Sequence, residues 1–418
     1  MNPAQTLDEA YVYLDPLLPL KKNTGDYWDW FYVERANDTL KTLIRSIRKR
    51  QGNPCLLYSG HTGCGKSTEL ERVAHDPTLN QDFLVIHYSV KDELDPVNID
   101  FADILISMGS KLFVSSHEKG AVLSNHLLTK IKEWKEAVIE KSDTLLGNQE
   151  LKVQADFNVF FFQLLGILKS SKEQKESYTV KIKPRIQQLI DIINDRLVLE
   201  IESTLGKQAL VIIDDMEKIP VDQARSIFRD HGHLLASLKC NVIYTFPNAL
   251  EYDLDVNTVV GMFGDIIRLP NIKIQNKEGS PVQDNVNMMK QMVHRRMAES
   301  LIEPTALDKA IEYSGGVVRE LFRILFRACN HALNRDMEKI TEEHINSAIA
   351  NIKNHYIFSL KDEHYPFLFK VLATQEVEGD TGYVRLMHSL HILKYANDED
   401  WFDLNPMIKE RVKLKKLE

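Results

Sequence analysis

The segment from residue 60 to residue 68 has the residue types and the spacing of a phosphate-binding loop. It runs Gly-His-Thr-Gly-Cys-Gly-Lys-Ser-Thr and satisfies the pattern G-x-x-x-x-G-K-[ST] at every position. Glycines let the main chain close around phosphates, the lysine would reach the β and γ oxygens, and the serine hydroxyl would bind Mg²⁺. The spacing therefore predicts a nucleoside triphosphate site whose contacts come from Gly60, His61, Thr62, Gly63, Cys64, Gly65, Lys66, Ser67 and Thr68.

The sequence around this loop predicts the strand and the helix that such a loop needs. The apolar run 54–58 before it is typical of a short buried strand, and residues 67–74 after it have the character of a helix. A loop in this position gathers backbone N–H groups at a helix N-terminus, where the helix dipole favours negative charge. The local context therefore supports a nucleotide site over a chance match to the pattern.

Two acids follow the apolar run 210–213 and supply the carboxylates that a magnesium nucleotide needs. At the carboxyl edge of a neighbouring strand, Asp214 would hold Mg²⁺ through water. Asp215 would polarise the attacking water as a general base, and Glu217 is a second candidate for that role. The alternative is that a strand-end acid only caps the turn that follows.

Two further side chains are candidates for sensing the γ-phosphate. Thr245 lies near the end of the apolar run 241–246, where a small polar group can face the phosphate. Arg319 begins a helix after Gly315 and Gly316, and from there it can fold back over the phosphates. The alternative for Arg319 is a surface ion pair with a neighbouring glutamate.

The remaining apolar runs predict the elements that position these residues. Strands are expected at 83–90, 209–213, 241–246 and 266–269, with helical segments between them. This alternation predicts an α/β fold with a parallel sheet covered by helices. The gap between residues 90 and 209 is too long for an ordinary crossover, which indicates a large helical insertion at about 101–204.

The flanking segments predict an arm before the sheet and a helical region after it. Three prolines up to residue 25 indicate an extended lead-in, and the apolar spacing of 38–50 indicates a helix with a basic end. Amphipathic helices are expected at 286–297, 304–313, 317–334 and 341–354.

Composition bounds the class of protein and its partners. The chain has 418 residues, 44% of them hydrophobic, which is typical of a globular protein of two or three domains. It has no apolar run of about 20 residues, and its four cysteines are scattered, so we expect a cytoplasmic protein without a membrane partner. A net charge of −8 favours protein partners, or DNA contact confined to a small surface.

With these motifs in order, the chain resembles the AAA+/STAND group of ATPases, particularly the origin-recognition-like branch and its prokaryotic STAND relatives. Residues 60–68 match the Walker A motif and residues 210–215 the Walker B motif, while 244–245 and 315–319 resemble the two sensor motifs. The resemblance implies ATP and Mg²⁺ as cofactors. Residues 32–38 resemble the family's adenine-contacting motif without its usual Gly-Arg-Glu, which makes Glu34 and Arg35 candidate nucleotide contacts. A Walker B motif that ends in Asp-Asp implies slow hydrolysis.

The C-terminal sequence extends the resemblance to a winged-helix domain. Residues 382–393 have the pattern of an amphipathic helix, and polar residues 397–400 would form the turn of a following hairpin. The resemblance then divides the chain into an N-terminal arm (1–27), a P-loop ATPase core (28–284), a helical lid (285–358) and a winged-helix-like domain (359–418).

The leading hypothesis is an ATP-driven switch that regulates a partner protein, in a prokaryotic defence or signalling system. A DNA-associated AAA+ ATPase of replication or transposition is the first alternative, and a non-hydrolysing adaptor is the second. The acidic turn 398–400 disfavours DNA binding, whereas the basic tail 409–416 keeps it open. The resemblance implies that in a homo-oligomer an arginine of a neighbouring subunit would complete the active site, and Arg225 and Arg229 are candidates by position.

Overall fold

The computed structural model describes residues 2–18, 20–22, 27–35, 38–49, 52, 54–138, 154–169, 180–396 and 399–417. Its centre is a five-stranded parallel sheet with the strand order β2-β3-β4-β1-β5. The strands are β1 (Cys55–Gly60), β2 (Phe83–Ser89), β3 (Gln208–Asp214), β4 (Asn241–Pro247) and β5 (Ile266–Arg268). The expected α/β fold and the four strands predicted after the loop are confirmed.

Helices precede the first strand and lie between the strands, as expected of a parallel sheet covered by helices. Before and within the core they are α1 (Leu7–Tyr13), α2 (Tyr27–Trp30), α3 (Thr39–Lys49), α4 (Lys66–Ala74), α5 (Pro77–Asp82) and α6 (Val90–Glu93). Between β3 and β5 they are α12 (Val221–Arg225), α13 (Gly232–Ala236) and α14 (Val256–Phe263), with short helical turns at Met216–Lys218, Ser226–Asp230 and Asn248–Tyr252. Strands β1 and β3 are buried except at their first residues, and β4 is buried along its whole length. These strands therefore form the core of this region.

The insertion between β2 and β3 is helical, as the sequence predicts. It comprises α7 (Phe101–Glu118), α8 (Asn125–Val138), α9 (Gln154–Leu168), α10 (Ile186–Ile192) and α11 (Val198–Leu205), with short turns at Lys183–Arg185 and Ile193–Leu197. Phe113 of α7 packs on Phe161 of α9 with ring centroids 5.3 Å apart. Buried residues of the insertion and of the sheet belong to one apolar core. The sequence also predicts connections between these helices at 147–150 and 170–173, and both segments lie outside the described residues.

The lid follows β5 as a bundle of four helices. They are α15 (Gln283–His294), α16 (Pro304–Ser314), α17 (Val318–Leu333) and α18 (Glu342–Phe358), with a short turn at Glu299–Leu301, close to the four bounds predicted from periodicity. The N-terminal arm differs from the extended lead-in expected from its prolines. Thr6 caps helix α1, and Tyr11 stacks on Phe326 of the lid at 4.4 Å, because Leu7, Ala10 and Leu14 form an apolar stripe that the lid buries.

The C-terminal region has the helices and the two-stranded hairpin expected of a winged helix. It contains α19 (Tyr365–Thr374), α20 (Thr381–His388), β6 (Ile392–Ala396), β7 (Asp400–Leu404) and α21 (Pro406–Lys415), with a short turn at Asp362–His364. The helix predicted at 382–393 was too long at its end. Leu390 takes a positive φ of 60°, which ends the helix and allows β6 to start at Ile392. The predicted turn residues 397 and 398 lie outside the described residues.

Within the described part of the chain, every helix is too short or too polar to cross a lipid bilayer.

Candidate functional site

The loop after β1 has a backbone that only glycine adopts without strain. Gly63 has φ 84° and Gly65 has φ 109°, both in the left-handed region. A Cβ atom on Gly63 would lie 2.7 Å from Cβ of Arg319, and one on Gly65 would lie 2.8 Å from Nη2 of Arg35. Two other candidate residues therefore approach the loop closely, and the glycines provide the space.

The Lys66 ammonium lies inside the loop and makes three contacts there. Nζ donates to the carbonyl oxygens of Gly60 at 2.7 Å and His61 at 3.1 Å, and it lies 3.3 Å from Oε1 of Glu217. Burial would lower the pKa of Lys66, but the carboxylates of Glu217 and Asp214 outweigh it, and the pKa is raised above its usual value. Lys66 is therefore a buried positive charge at the place where the sequence predicts phosphate binding.

Ser67 and Asp214 meet at the junction of the loop helix and β3. The Ser67 hydroxyl lies close enough to the Asp214 carboxylate to favour its charged form, so the two predicted magnesium ligands are neighbours. Burial, followed by the charges of Glu217 and Asp215, raises the pKa of Asp214. The carboxylates of these three acids can each place one oxygen within 4.8 Å of the others.

This donor set fits a magnesium ion. Mg²⁺ prefers hard oxygen ligands and is usually held by one or two carboxylates together with substrate phosphates. Buried carboxylates so close together repel one another, and a divalent cation would offset that repulsion. Ser67 and Asp214 would hold the ion, consistent with the sequence prediction.

Asp215 has partners other than the loop lysine. It has a positive φ of 67°, and its carboxylate accepts a hydrogen bond from Ser89 Oγ at 2.6 Å and pairs with Lys218. Burial raises the pKa of this carboxyl, but the bonds from Lys218 and Ser89 outweigh it, and the pKa is lowered. Of the two candidate bases, Glu217 contacts Lys66, whereas Asp215 is held at the end of β2.

Thr245 lies beneath the turn that follows β3. Its hydroxyl accepts a hydrogen bond from the Met216 N–H at 2.9 Å and donates to the Ile213 carbonyl at 3.4 Å, and the residue is fully buried. These bonds tie β4 to the turn that carries Asp215 and Glu217. In this arrangement Thr245 positions the acids and does not face the cleft.

Replacing Thr245 by valine is expected to lower the free energy of unfolding by about 1 to 3 kcal/mol, because the buried Met216 N–H loses its acceptor. Thr245→Ser keeps the hydroxyl and should retain most of that stability. Urea denaturation of both variants measures the difference. Equal stability of the valine and serine variants would contradict this role.

Arg319 lies against the loop from the lid side. Its backbone N–H donates to the Gly63 carbonyl at 3.1 Å, and the residue lines the same cleft as Lys66, Ser67 and Asp214. The nearby Glu320 pairs with Arg323 at 3.3 Å. The structure thus brings Arg319 to the place where the sequence expects a phosphate sensor.

Glu34 and Arg35, the two candidate nucleotide contacts in segment 32–38, have different surroundings. The Arg35 guanidinium donates to the Cys64 carbonyl of the loop, and to the Pro270 carbonyl at 3.2 Å. Glu34 is exposed at the surface. The structure therefore brings Arg35, and not Glu34, into contact with the loop.

A cleft of about 1360 Å³ opens beside the loop and is large enough for a nucleotide. Its walls come from the loop, the carboxyl end of β3 and the start of α17. The two arginines proposed by position for a neighbouring subunit lie elsewhere and have acidic partners: Arg225 pairs with Asp253, and Arg229 pairs with Asp255 at 2.9 Å.

The winged-helix region contacts the loop directly. His61 Nε2 accepts a hydrogen bond from the Lys394 N–H of β6 at 2.8 Å, and the Asn271 amide donates to the Lys394 carbonyl at 3.2 Å. Tyr395, also on β6, donates its hydroxyl to the Gly315 carbonyl of the lid at 2.7 Å. Burial, then the charges of Lys66 and Lys394, lowers the pKa of His61 to about 3, which keeps the imidazole neutral and able to accept.

The sequence analysis missed two of these partners, Lys394 and Asn271, and it did not predict that Glu217 contacts Lys66. The bond from Lys394 to His61 joins residues 333 positions apart, and nothing in either local sequence indicates it. Asn271 follows the last core strand without a motif. Glu217 did carry a signal, because a third acid three residues after Asp214 can return to the same edge of the sheet.

No protein-family model matches the sequence, and no curated protein matches it. Among solved structures, the fold is similar to the Aeropyrum pernix ORC1 protein in complex with DNA (13% identity, 94% of this chain and 96% of that chain, TM-score 0.42). It is also similar to Cdc6p from Pyrobaculum aerophilum (11%, 99% and 100%, TM-score 0.42) and to Drosophila ORC bound to DNA (12%, 97% and 91%, TM-score 0.41). At this level the similarity concerns the fold, and it assigns neither a ligand nor a partner to this chain.

Proposed function

We propose that this chain is an ATP-binding molecular switch that hydrolyses ATP slowly and regulates a partner protein. In this proposal residues 28–284 form the ATPase core, 285–358 the lid and 359–418 the winged-helix domain that responds to the nucleotide. The observation that carries it is the hydrogen bond between His61 of the phosphate loop and the Lys394 N–H of β6.

With this bond His61 contacts both Lys66 of the phosphate loop and the hairpin of the winged-helix region. The His61 carbonyl accepts from Lys66, while the His61 side chain holds β6. Phosphates entering the loop would draw the lysine away from the His61 carbonyl and change the backbone that positions the imidazole. A ligand shifts a conformational equilibrium only through such differential contacts. The loop and the winged helix are therefore coupled in our proposal.

The site residues have distinct tasks in this function. Lys66 and Arg319 bind phosphate oxygens, and their positive charges stabilise the negative charge that develops during phosphoryl transfer. Ser67 and Asp214 hold Mg²⁺, which when bound neutralises charge on the phosphates. Asp215 or Glu217 accepts a proton from the attacking water. Arg35 supports the loop through the Cys64 carbonyl.

Saturating ATP is expected to raise the rate of amide hydrogen exchange in β6, residues 392–396, by about tenfold or more. The central strand β3, residues 208–214, serves as the internal control and should remain protected. Exchange would be followed by mass spectrometry on the full chain with and without ATP. Unchanged exchange in β6 under saturating ATP would contradict the switch and favour the non-hydrolysing adaptor.

A DNA-associated ATPase is the second candidate function. Arg411, Lys413 and Lys416 are exposed on or just after the last helix, and such residues can bind phosphates. Titration with duplex DNA at several salt concentrations tests it. Affinity that falls steeply with salt and rises with ATP would favour this candidate. We keep a protein effector as the leading partner, because the chain is acidic overall. In our proposal the chain can also self-associate into a homo-oligomer.

A further inference from the structure

Glu217 has an unusual position for a carboxylate in a nucleotide cleft. Its side chain is 4% exposed, and Oε1 lies 3.3 Å from Nζ of Lys66, whose side chain is 2% exposed. Burying two charges is costly, and the cost is offset only when the pair is close and its other atoms are satisfied. Here Oε2 of Glu217 has no hydrogen-bond partner among the described residues. The pair is therefore held mainly by the contact with Lys66.

The two neighbouring acids have partners of their own. Asp214 accepts from the Asp215 N–H and has the Ser67 hydroxyl beside it, and Asp215 accepts from Ser89 and pairs with Lys218. Lys66 is the cation that lies against Glu217. A carboxylate has about four lone-pair sites, so Glu217 uses few of them in this arrangement.

We propose that Glu217 competes with the phosphates of the nucleotide for Lys66 and thereby sets the affinity of the loop. The inference rests on the proposed function, since it assumes that the loop binds phosphates. An anionic oxygen of Glu217 occupies a position on the ammonium that a phosphate oxygen needs. Nucleotide binding breaks this ion pair. The free energy of the ion pair therefore reduces the net free energy of nucleotide binding.

The opposite role makes the opposite prediction. If Glu217 served only to hold Lys66 in place for the nucleotide, removing its charge would loosen the lysine and weaken binding. If it acted only as one negative charge among three, removing it would improve binding whether or not Lys66 was present. The sign of the effect and its dependence on Lys66 distinguish these roles.

The test is nucleotide affinity of Glu217→Gln, measured with a fluorescent ATP analogue in the presence of EDTA to exclude effects of the metal. We expect binding about tenfold tighter than in the wild type, the low end of what one charge-assisted hydrogen bond contributes. Glutamine keeps the size of the side chain without its charge. Glu217→Asp moves the carboxylate away from Lys66 and should also tighten nucleotide binding. This variant replaces the glutamine variant in the test if the glutamine variant does not fold.

A double-mutant cycle with Lys66→Ala completes the test. In the alanine background Glu217→Gln should leave the weak remaining affinity unchanged, because the competition has been removed. Weaker or equal binding by Glu217→Gln in the wild-type background would overturn the inference, and so would equal tightening in both backgrounds. Absence of nucleotide binding by the wild type itself would instead overturn the proposed function.

Discussion

Lys66→Ala is expected to weaken ATP binding by about 100-fold, because a buried, charged donor to the phosphates contributes roughly 1.5 to 3 kcal/mol through each bond. The structure places this ammonium inside the loop, within 3.1 Å of two loop carbonyls, so its position is already set for a phosphate oxygen. Isothermal titration of the wild type and the variant measures the change.

The same substitution should also lower the stability of the protein. Glu217 would remain as a buried carboxylate without its cation, which typically costs about 3 to 5 kcal/mol. Thermal unfolding therefore accompanies the binding measurement, and the double variant with Glu217→Gln should recover part of the loss.

Lys207→Ala is the matched control for this experiment. Lys207 lines the far part of the same cleft, where its Nζ donates to the Asn80 carbonyl at 2.6 Å. The Lys207→Ala substitution should leave ATP affinity within about twofold of the wild type, as expected for a surface residue away from the phosphates. Equal ATP affinity in the wild type and Lys66→Ala would refute the assignment of the phosphate loop.

Asp214→Asn is expected to lower ATP turnover by about 100- to 1,000-fold, the loss typical of removing one preorganised electrostatic contact from an active site. Asparagine keeps the shape of the side chain and an oxygen that can accept from Ser67, so the effect comes from the missing charge. Steady-state phosphate release measures it.

Dependence of ATP binding on Mg²⁺ provides a readout that does not require turnover. In the wild type, Mg²⁺ should tighten ATP binding compared with EDTA, and in Asp214→Asn that difference should largely disappear. Asp222→Asn is the control, because Asp222 is 74% exposed at its side chain and pairs with Arg225 on the surface. A variant that keeps the full response to Mg²⁺ would show that another acid, such as Asp215, holds the ion.

The strands and the loop could be predicted because their signals are local. A glycine pattern between an apolar run and a helix specifies the loop, and apolar runs ending in acids specify strand ends. Parallel strands place their carboxyl ends at one edge of the sheet, which brings Ser67 and Asp214 together as expected.

The division of roles among the acids could not be predicted in the same way. Asp215 has a positive φ of 67°, and this turn directs its carboxylate to Ser89 and leaves Glu217 beside Lys66. Backbone conformation at a strand end depends on the groups that receive its hydrogen bonds. In this chain Thr245 of the next strand is one of those groups.

The α/β fold, the glycine loop and the acids at the adjacent strand ends could be predicted because these features depend on residues close together in the chain. The contacts of side chains across the domains could be known only from the folded structure. His61 and Lys394 are separated by 333 positions, and their bond exists because the lid places the hairpin against the loop. Such a contact depends on the packing of whole elements, and no local pattern specifies that packing.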